Sequence, residues 1–307
     1  LHSQIIILIA GLLGLYLGAE ALVKGGSRLA LSLGMKPILI GLTVVAFGTS
    51  LPELSVAVIS SVGGENGISL GNVIGSNICN ILLIFGVMAL IRPLKVEEEN
   101  LRKDIPAVLA AGALLWILSA DGTITRFDGA LLLFGLAIYF AILWNERKTR
   151  FAAEVSSVVV KTGIISYVLI PLGLGLLIFG GWACVHSGTR IAAHIGIPEY
   201  IIGLTIIAIG TSLPELAIGA VASIRGECEL PVGNALGSNI FNAFGIIGLT
   251  ALISPYAVDP EVNSFSLPVM MASSMAFLPI AMTGKKLTRV EGLGFVIAYA
   301  IYVTALF

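Results

Sequence analysis

Glu53 and Glu215 each close a Gly-Thr-Ser-Leu-Pro-Glu hexapeptide, at positions 48–53 and 210–215, and both hexapeptides lie in otherwise apolar stretches. Each copy sets a carboxylate beside two hydroxyls, Thr49 and Ser50 or Thr211 and Ser212. Pro52 cannot donate a hydrogen bond to the Gly48 carbonyl, and its ring crowds that carbonyl. Leu51, before the proline, is pushed away from helical geometry, and Gly48 supplies backbone freedom for a break. Gly210, Leu213 and Pro214 repeat the arrangement. In lipid, carbonyls freed by such a break persist only where protein, water or an ion satisfies them. Backbone, hydroxyl and carboxylate oxygens together make a hard ligand set, suited to calcium and alkali cations and not to zinc or copper.

Two polar helical faces complete the set. Asn72, Ser76 and Asn80 recur at i, i+4 and i+8, as do Asn234, Ser238 and Asn242, so each trio lines one face of a helix. Gly71 with Gly75, and Gly233 with Gly237, form small-xxx-small pairs that admit a neighbouring helix closely. Ser76, Asn80, Ser238 and Asn242 are then expected to face the glutamates. A charge at mid-bilayer costs roughly 2.5–3.5 kcal/mol on insertion scales, and two such costs at matched positions favour an ion site over structural glutamates. Two ionised carboxylates balance one divalent or two monovalent cations. Asn72 and Asn234 fit a ligand role and a helix-packing role equally well.

The elements that must carry these residues are duplicated. Residues 41–54 and 203–216 agree at 11 of 14 positions, and Gly71–Asn80 matches Gly233–Asn242 at the same offset of 162. The chain is 57% hydrophobic and 11% charged, with a mean hydropathy of +1.02, a composition that only a lipid bilayer accommodates. Apolar runs of span length place ten helices at 4–23, 37–62, 70–91, 105–120, 128–144, 164–186, 199–224, 232–253, 265–283 and 290–307. The first run is long enough to be a span, so no cleavable signal peptide is expected. Of the 17 Lys and Arg residues, 15 fall in one set of alternate loops, against Arg126 and Arg190 in the other. The positive-inside rule then puts both termini outside a multi-pass cell-membrane protein. The fold class is therefore an all-α integral membrane protein, with repeats at 1–145 and 163–307 and a cytoplasmic linker at 146–162. Five helices per repeat is an odd number, so the second repeat enters the membrane in the opposite sense. Such inverted repeats place substrate sites at the midplane between them.

Other features carry less. Glu20 and Lys24 are spaced for a local ion pair. His186 and His194 flank Arg190 in an expected outer loop, and Trp116, Trp144 and Trp182 sit near span ends as interfacial anchors would. Three scattered cysteines make neither a disulfide framework nor a metal set. A net charge of −1 offers no nucleic-acid footprint. No P-loop, zinc-protease helix or nucleophile elbow is present, so ATP-driven pumping and hydrolysis lack support. No cofactor and no protein partner are expected; the donor set points to hard cations, calcium or alkali, as partners beside the bilayer.

Gly-Thr-Ser-Leu-Pro-Glu followed by Gly-Asn-x-x-Gly-Ser-Asn-Ile, present twice, resembles the α-repeats of the calcium/cation antiporter superfamily, most nearly its sodium/calcium exchanger branch including the prokaryotic exchangers. The resemblance spans the ten-helix core and implies sodium/calcium antiport by alternating access. It also implies cation ligands at Thr49, Ser50, Glu53, Ser76 and Asn80, at Thr211, Ser212, Glu215, Ser238 and Asn242, and at the backbone carbonyls of Ala46, Thr49, Ala208 and Thr211. Relatives commonly carry aspartate where this chain has Asn80 or Asn242, which argues against potassium co-transport and leaves the driving ion open. Proton/calcium exchange on the same scaffold is the nearer alternative; a cation channel with the same oxygen-lined site is the more distant one.

Overall fold

Uncharged runs of this length fold as helices because, in hydrocarbon, each backbone donor and acceptor must be satisfied within its own segment. The computed structural model describes residues 2–32, 37–62, 66–96, 100–154, 164–194, 208–227 and 229–306. Its helices are α1 (His2–Ser32), α2 (37–49), α3 (Leu51–Val62), α4 (66–91), α5 (100–118), α6 (Arg126–Glu154), α7 (Ile164–His194), α8 (Ala208–Thr211), α9 (Leu213–Arg225), α10 (229–253), α11 (262–284) and α12 (Arg289–Ala305). Five of them contain stretches long and apolar enough to cross a membrane: His2–Leu29, Ser69–Ile91, Arg126–Trp144, Tyr167–Ser187 and Glu229–Ile253. Gly41–Thr49 and Leu51–Val62 make a sixth when counted as one span bent by 48°. The expected spans at 105–120, 265–283 and 290–307 fall in α5, α11 and α12, and the one at 199–224 is described only from Ala208 onward.

Several ends differ from expectation. The helices α1, α6 and α7 run on to Ser32, Glu154 and His194, since helical geometry satisfies the backbone beyond the apolar run as well as within it. The α6 extension occupies part of the expected linker. His186 and Arg190 accordingly lie on α7 and not in a loop, and His186 stacks on Trp182 with ring centroids 5.0 Å apart. The Glu20–Lys24 pair forms, at 2.8 Å, and Arg225 at the end of α9 joins it.

Two small antiparallel sheets fasten the halves together. The strand β1 (Leu94–Lys95) pairs with β4 (Lys286–Leu287), and β2 (Thr123–Ile124) pairs with β3 (Tyr256–Ala257). Each sheet thus takes one strand from each half. The 19 residues of α5 lead from β1 to β2 and α11 leads from β3 to β4. At 1.5 Å per residue the two sheets stand roughly 28 Å apart along α5, close to one hydrocarbon thickness. Arg92, Lys95, Lys285, Lys286 and Arg289 gather around the β1–β4 end, while Asp121, Asp128, Asp259 and Glu261 accompany Arg126 at the other. Arg289 and Arg126 donate to the carbonyls of Ile91 and Leu252, each at 3.2 Å, so a cation caps the C-terminal turn of a helix from the opposite half.

Packing divides into two apolar clusters. The larger joins α4, α5, α10, α11 and α12 and includes Phe85 stacked on Phe277 at 4.7 Å. The smaller holds α1 against α7 and the nearby faces of α2 and α9. Along that seam a Cβ on Gly18 would lie 2.8 Å from the Gly173 oxygen, and one on Gly180 would lie 2.7 Å from the Leu15 nitrogen. The helices touch backbone to backbone, as small residues permit in membranes. Outward, Ile6, Ile9, Leu12 and Leu13 of α1 and Tyr167, Leu172 and Phe179 of α7 are exposed, a surface that fits lipid tails.

Candidate functional site

The two Ser-Leu-Pro-Glu segments break their helices alike. Ser50 has φ −82°, ψ 6° and Ser212 has φ −88°, ψ 6°, in the sparsely populated bridge region between helix and strand. The break falls one residue earlier than the proline rule predicts. Leu51 and Leu213 open the next helices instead of standing outside them, and each proline occupies the first turn, where a missing N–H costs nothing. Gly48 and Gly210 show no left-handed backbone; among the described glycines positive φ occurs at Gly122 and Gly226. They serve by lacking a side chain. A Cβ on Gly48 would lie 2.7 Å from Leu174 Cδ1, and Gly210 faces Val185, so α7 covers both breaks.

Around these breaks the predicted residues converge. Thr49, Ser50, Glu53, Ser76, Asn80, Thr211, Ser212, Glu215, Ser238 and Asn242 are all buried, as is Ala46. Glu53 Oε1 accepts from Ser76 Oγ at 3.4 Å and from Ser212 Oγ at 3.3 Å. The second bond crosses from one repeat to the other. Glu215 Oε1 accepts from Ser238 Oγ at 3.3 Å. The Ala46 carbonyl accepts from the Ser50 N–H at 3.0 Å, and Ala208 supplies the first residue of α8. Local packing brings the helices close enough: a Cβ on Gly237 would lie 2.6 Å from the Leu42 oxygen. Gly71 and Gly75 meet no heavy atom within 4 Å among the described residues, and residues 201–207, which match 39–45, lie outside them.

Asn72 and Asn234, left open by the sequence, tie the repeats together. Asn234 Oδ1 accepts from Thr49 Oγ1 at 3.1 Å and Asn72 Oδ1 accepts from Thr211 Oγ1 at 3.3 Å. Asn72 Nδ2 also donates to the Glu53 carbonyl at 3.3 Å. Both ends of that amide are engaged within the protein.

Sequence reasoning missed Asn77 and Asn239. Both are buried, and each donates from Nδ2 to the other's backbone carbonyl, at 3.2 and 3.3 Å. Asn80 Nδ2 donates to Asn239 Oδ1 at 2.8 Å, and Asn242 Nδ2 donates to Asn77 Oδ1 at 3.1 Å. The face chosen by i, i+4 spacing excludes Asn77; its position three residues before Asn80 was the available signal. Both quartet helices continue into π-helical turns, Cys79–Ile84 and Phe241–Ile246, irregularities that frequently accompany functional sites.

Among the described residues, five buried oxygens of this cluster meet no hydrogen-bond partner: Ser50 Oγ, Glu53 Oε2, Asn80 Oδ1, Glu215 Oε2 and Asn242 Oδ1. Buried polar atoms are ordinarily paired, because leaving one unpaired costs about 1–3 kcal/mol. Five in one cluster, two of them carboxylate oxygens, two amide oxygens and one a hydroxyl, match the oxygen set that a hard cation takes.

The profile described as sodium/calcium exchanger protein matches residues 3–145 and again residues 165–307. The chain is 36% identical to the putative antiporter CaxA of Alkalimonas amylolytica and 31% identical to the sodium/calcium exchanger MaX1 of Methanosarcina acetivorans, each alignment covering 98% of both proteins. Its fold is similar to that of the sodium-calcium exchanger NCX_Mj soaked with 10 mM Na+ and 10 mM Sr2+, with a TM-score of 0.87 and 31% identity over 99% of this chain and 98% of that one. With two matched halves and full-length likeness in both sequence and fold, this chain belongs to the sodium/calcium exchanger family and is a membrane transporter, not an enzyme.

Proposed function

We propose that the protein exports cytoplasmic Ca2+ in exchange for inward Na+, by alternating access around one midplane site. The observation that carries this reading is the cluster of five buried oxygens, drawn from both repeats, that meet no partner among the described residues. Glu53 and Glu215 supply the charge. Thr49, Ser50, Ser76 and Asn80, with Thr211, Ser212, Ser238 and Asn242, supply neutral oxygens, and the carbonyls of Ala46, Thr49, Ala208 and Thr211 complete the set. The likeness to proteins described as sodium/calcium exchangers favours Na+ over H+ as the driving ion. Both ions draw on the same carboxylates, so occupancy by one excludes the other and exchange follows without a covalent step.

The architecture we infer is ten spans in two five-helix repeats of opposite sense, with both termini outside. Bonds related by the 162-residue offset support it. Ser76–Glu53 recurs as Ser238–Glu215, and Thr49–Asn234 is matched by Thr211–Asn72. The basic residues gathered at the β1–β4 end support a cytoplasmic position for that end.

Proteoliposomes test the reading directly. Calcium uptake is expected to require an outward Na+ gradient across the vesicle and to be unchanged by a pH gradient. Uptake driven by a pH gradient alone would identify a proton exchanger, and calcium flux without any counter-ion would identify a channel. On the same assay, Asn80→Asp and Asn242→Asp are expected to change the Na+:Ca2+ coupling ratio while retaining transport, because each adds an ionisable oxygen to a site of fixed donor number. An unchanged ratio in both variants counts against a ligand role for these two positions.

A further inference from the structure

An asparagine amide can present either its oxygen or its nitrogen, and only hydrogen bonding decides which. At Asn80 and Asn242 the choice matters, because an inward N–H₂ would repel a cation that an inward oxygen would bind. The deciding constraint lies one residue away in the network. The backbone carbonyls of Asn77 and Asn239 can only accept, so the partner amide that meets each must turn its nitrogen to it, at 3.2 and 3.3 Å. That leaves Asn77 Oδ1 and Asn239 Oδ1 pointing the other way, where they accept from Asn242 Nδ2 and Asn80 Nδ2 at 3.1 and 2.8 Å. With their nitrogens so held, Asn80 and Asn242 leave Oδ1 buried and without a partner among the described residues.

We propose that Asn77 and Asn239 are positioning residues that lock the amides of Asn80 and Asn242 with their oxygens toward the cation. Each acts across the repeat boundary: Asn77 sets Asn242, and Asn239 sets Asn80. Neither touches the ion. The quartet also ties the two ligand helices to each other, so the orientation of a ligand in one repeat depends on the position of the other. This inference rests on the proposed calcium site and adds to it the means by which a neutral ligand keeps its sign.

The test is a double-mutant cycle read by calorimetric titration of Ca2+ into purified, Na+-free protein. Partners that orient a metal ligand typically contribute 10- to 100-fold in affinity. Asn77→Ala is expected to weaken Ca2+ binding about 10-fold, and Asn242→Ala to weaken it at least as much. The double variant should bind no more weakly than Asn242→Ala alone, because Asn77 has nothing left to orient; Asn239→Ala with Asn80→Ala should behave likewise. Independent sites would instead show multiplying losses, as they would if Asn77 merely braced the helices. Multiplying losses, or unchanged affinity in Asn77→Ala, overturns the proposal. Asn77→Ser, which retains a small polar side chain too short to reach Asn242, carries the same expectation and serves if the alanine variant folds poorly. Glu53→Gln in the same titration separates the two levels. Loss of binding there together with multiplying asparagine effects removes only the orienting role, whereas retained binding removes the site itself.

Discussion

Glu53→Gln and Glu215→Gln are each expected to abolish Ca2+ transport while leaving a folded protein. Glutamine keeps the volume and one acceptor oxygen but removes the charge that opposes the cation. Removing one partner of a buried charge pair costs about 3–5 kcal/mol, which at 1.4 kcal/mol per factor of ten is more than roughly 100-fold in affinity. Without the cation the sign reverses. A carboxylate buried to 1% exposure at Glu53 or 2% at Glu215 is costly to keep ionised, so the neutral variants should melt no lower than the parent in calcium-free buffer. The parent should gain stability as Ca2+ is added, by ligand linkage, and the variants should not. Thermal melts with and without Ca2+, beside vesicle flux, read both halves. Calcium-dependent stabilisation surviving in both variants would show that the carboxylates do not hold the ion.

The second large effect is expected from Gly237→Val. A Cβ there would stand 2.6 Å from the Leu42 carbonyl oxygen, 2.7 Å from its Cα and 2.9 Å from Ala46 Cβ. Two of those atoms are backbone, so no rotamer change relieves the contact. The wedge must push α10 away from α2, and α2 carries Ala46 and Thr49 into the site. Overpacking of this kind costs about 1–3 kcal/mol, and the Thr49–Asn234 bond of 3.1 Å would lengthen with it. Both a lower melting temperature and a loss of Ca2+ binding are expected. Gly294→Ala is the control: nothing among the described residues lies within 4 Å of its Cβ position, and replacing a mid-helix glycine gains about 0.5–1 kcal/mol. If Gly237→Val melts and binds like the parent, the close approach of these two helices is not needed for the site.

Much of this was legible in residue order. Gly237 announced a close helix contact through its spacing from Gly233, and the contact is there. Glu20 and Lys24 announced an ion pair, and it forms. The prolines announced two breaks, although the non-helical residue is the serine at 50 and 212 and not the leucine after it, because a proline is harmless in a first helical turn. The lengths of α1, α6 and α7 were not legible, since apolarity marks where lipid lies and helices extend past it. Asn77 was passed over because helical spacing ranks residues by the face they share, while its partners, Asn239 and Asn242, sit in the other repeat.

The sequence by itself determined the solvent, the duplication and the donor chemistry. Composition, a 162-residue offset and the types of a few polar side chains are properties of the chain in any conformation. Only the tertiary structure decided which way each amide faces, which serine reaches which glutamate, and that Ser212 of one repeat serves Glu53 of the other. The bonds that cross between the repeats, Ser212 to Glu53 and Asn80 to Asn239, join residues 159 positions apart. An amide or a hydroxyl has no fixed sign until a partner supplies one, and the partners meet only when the two halves are folded against each other.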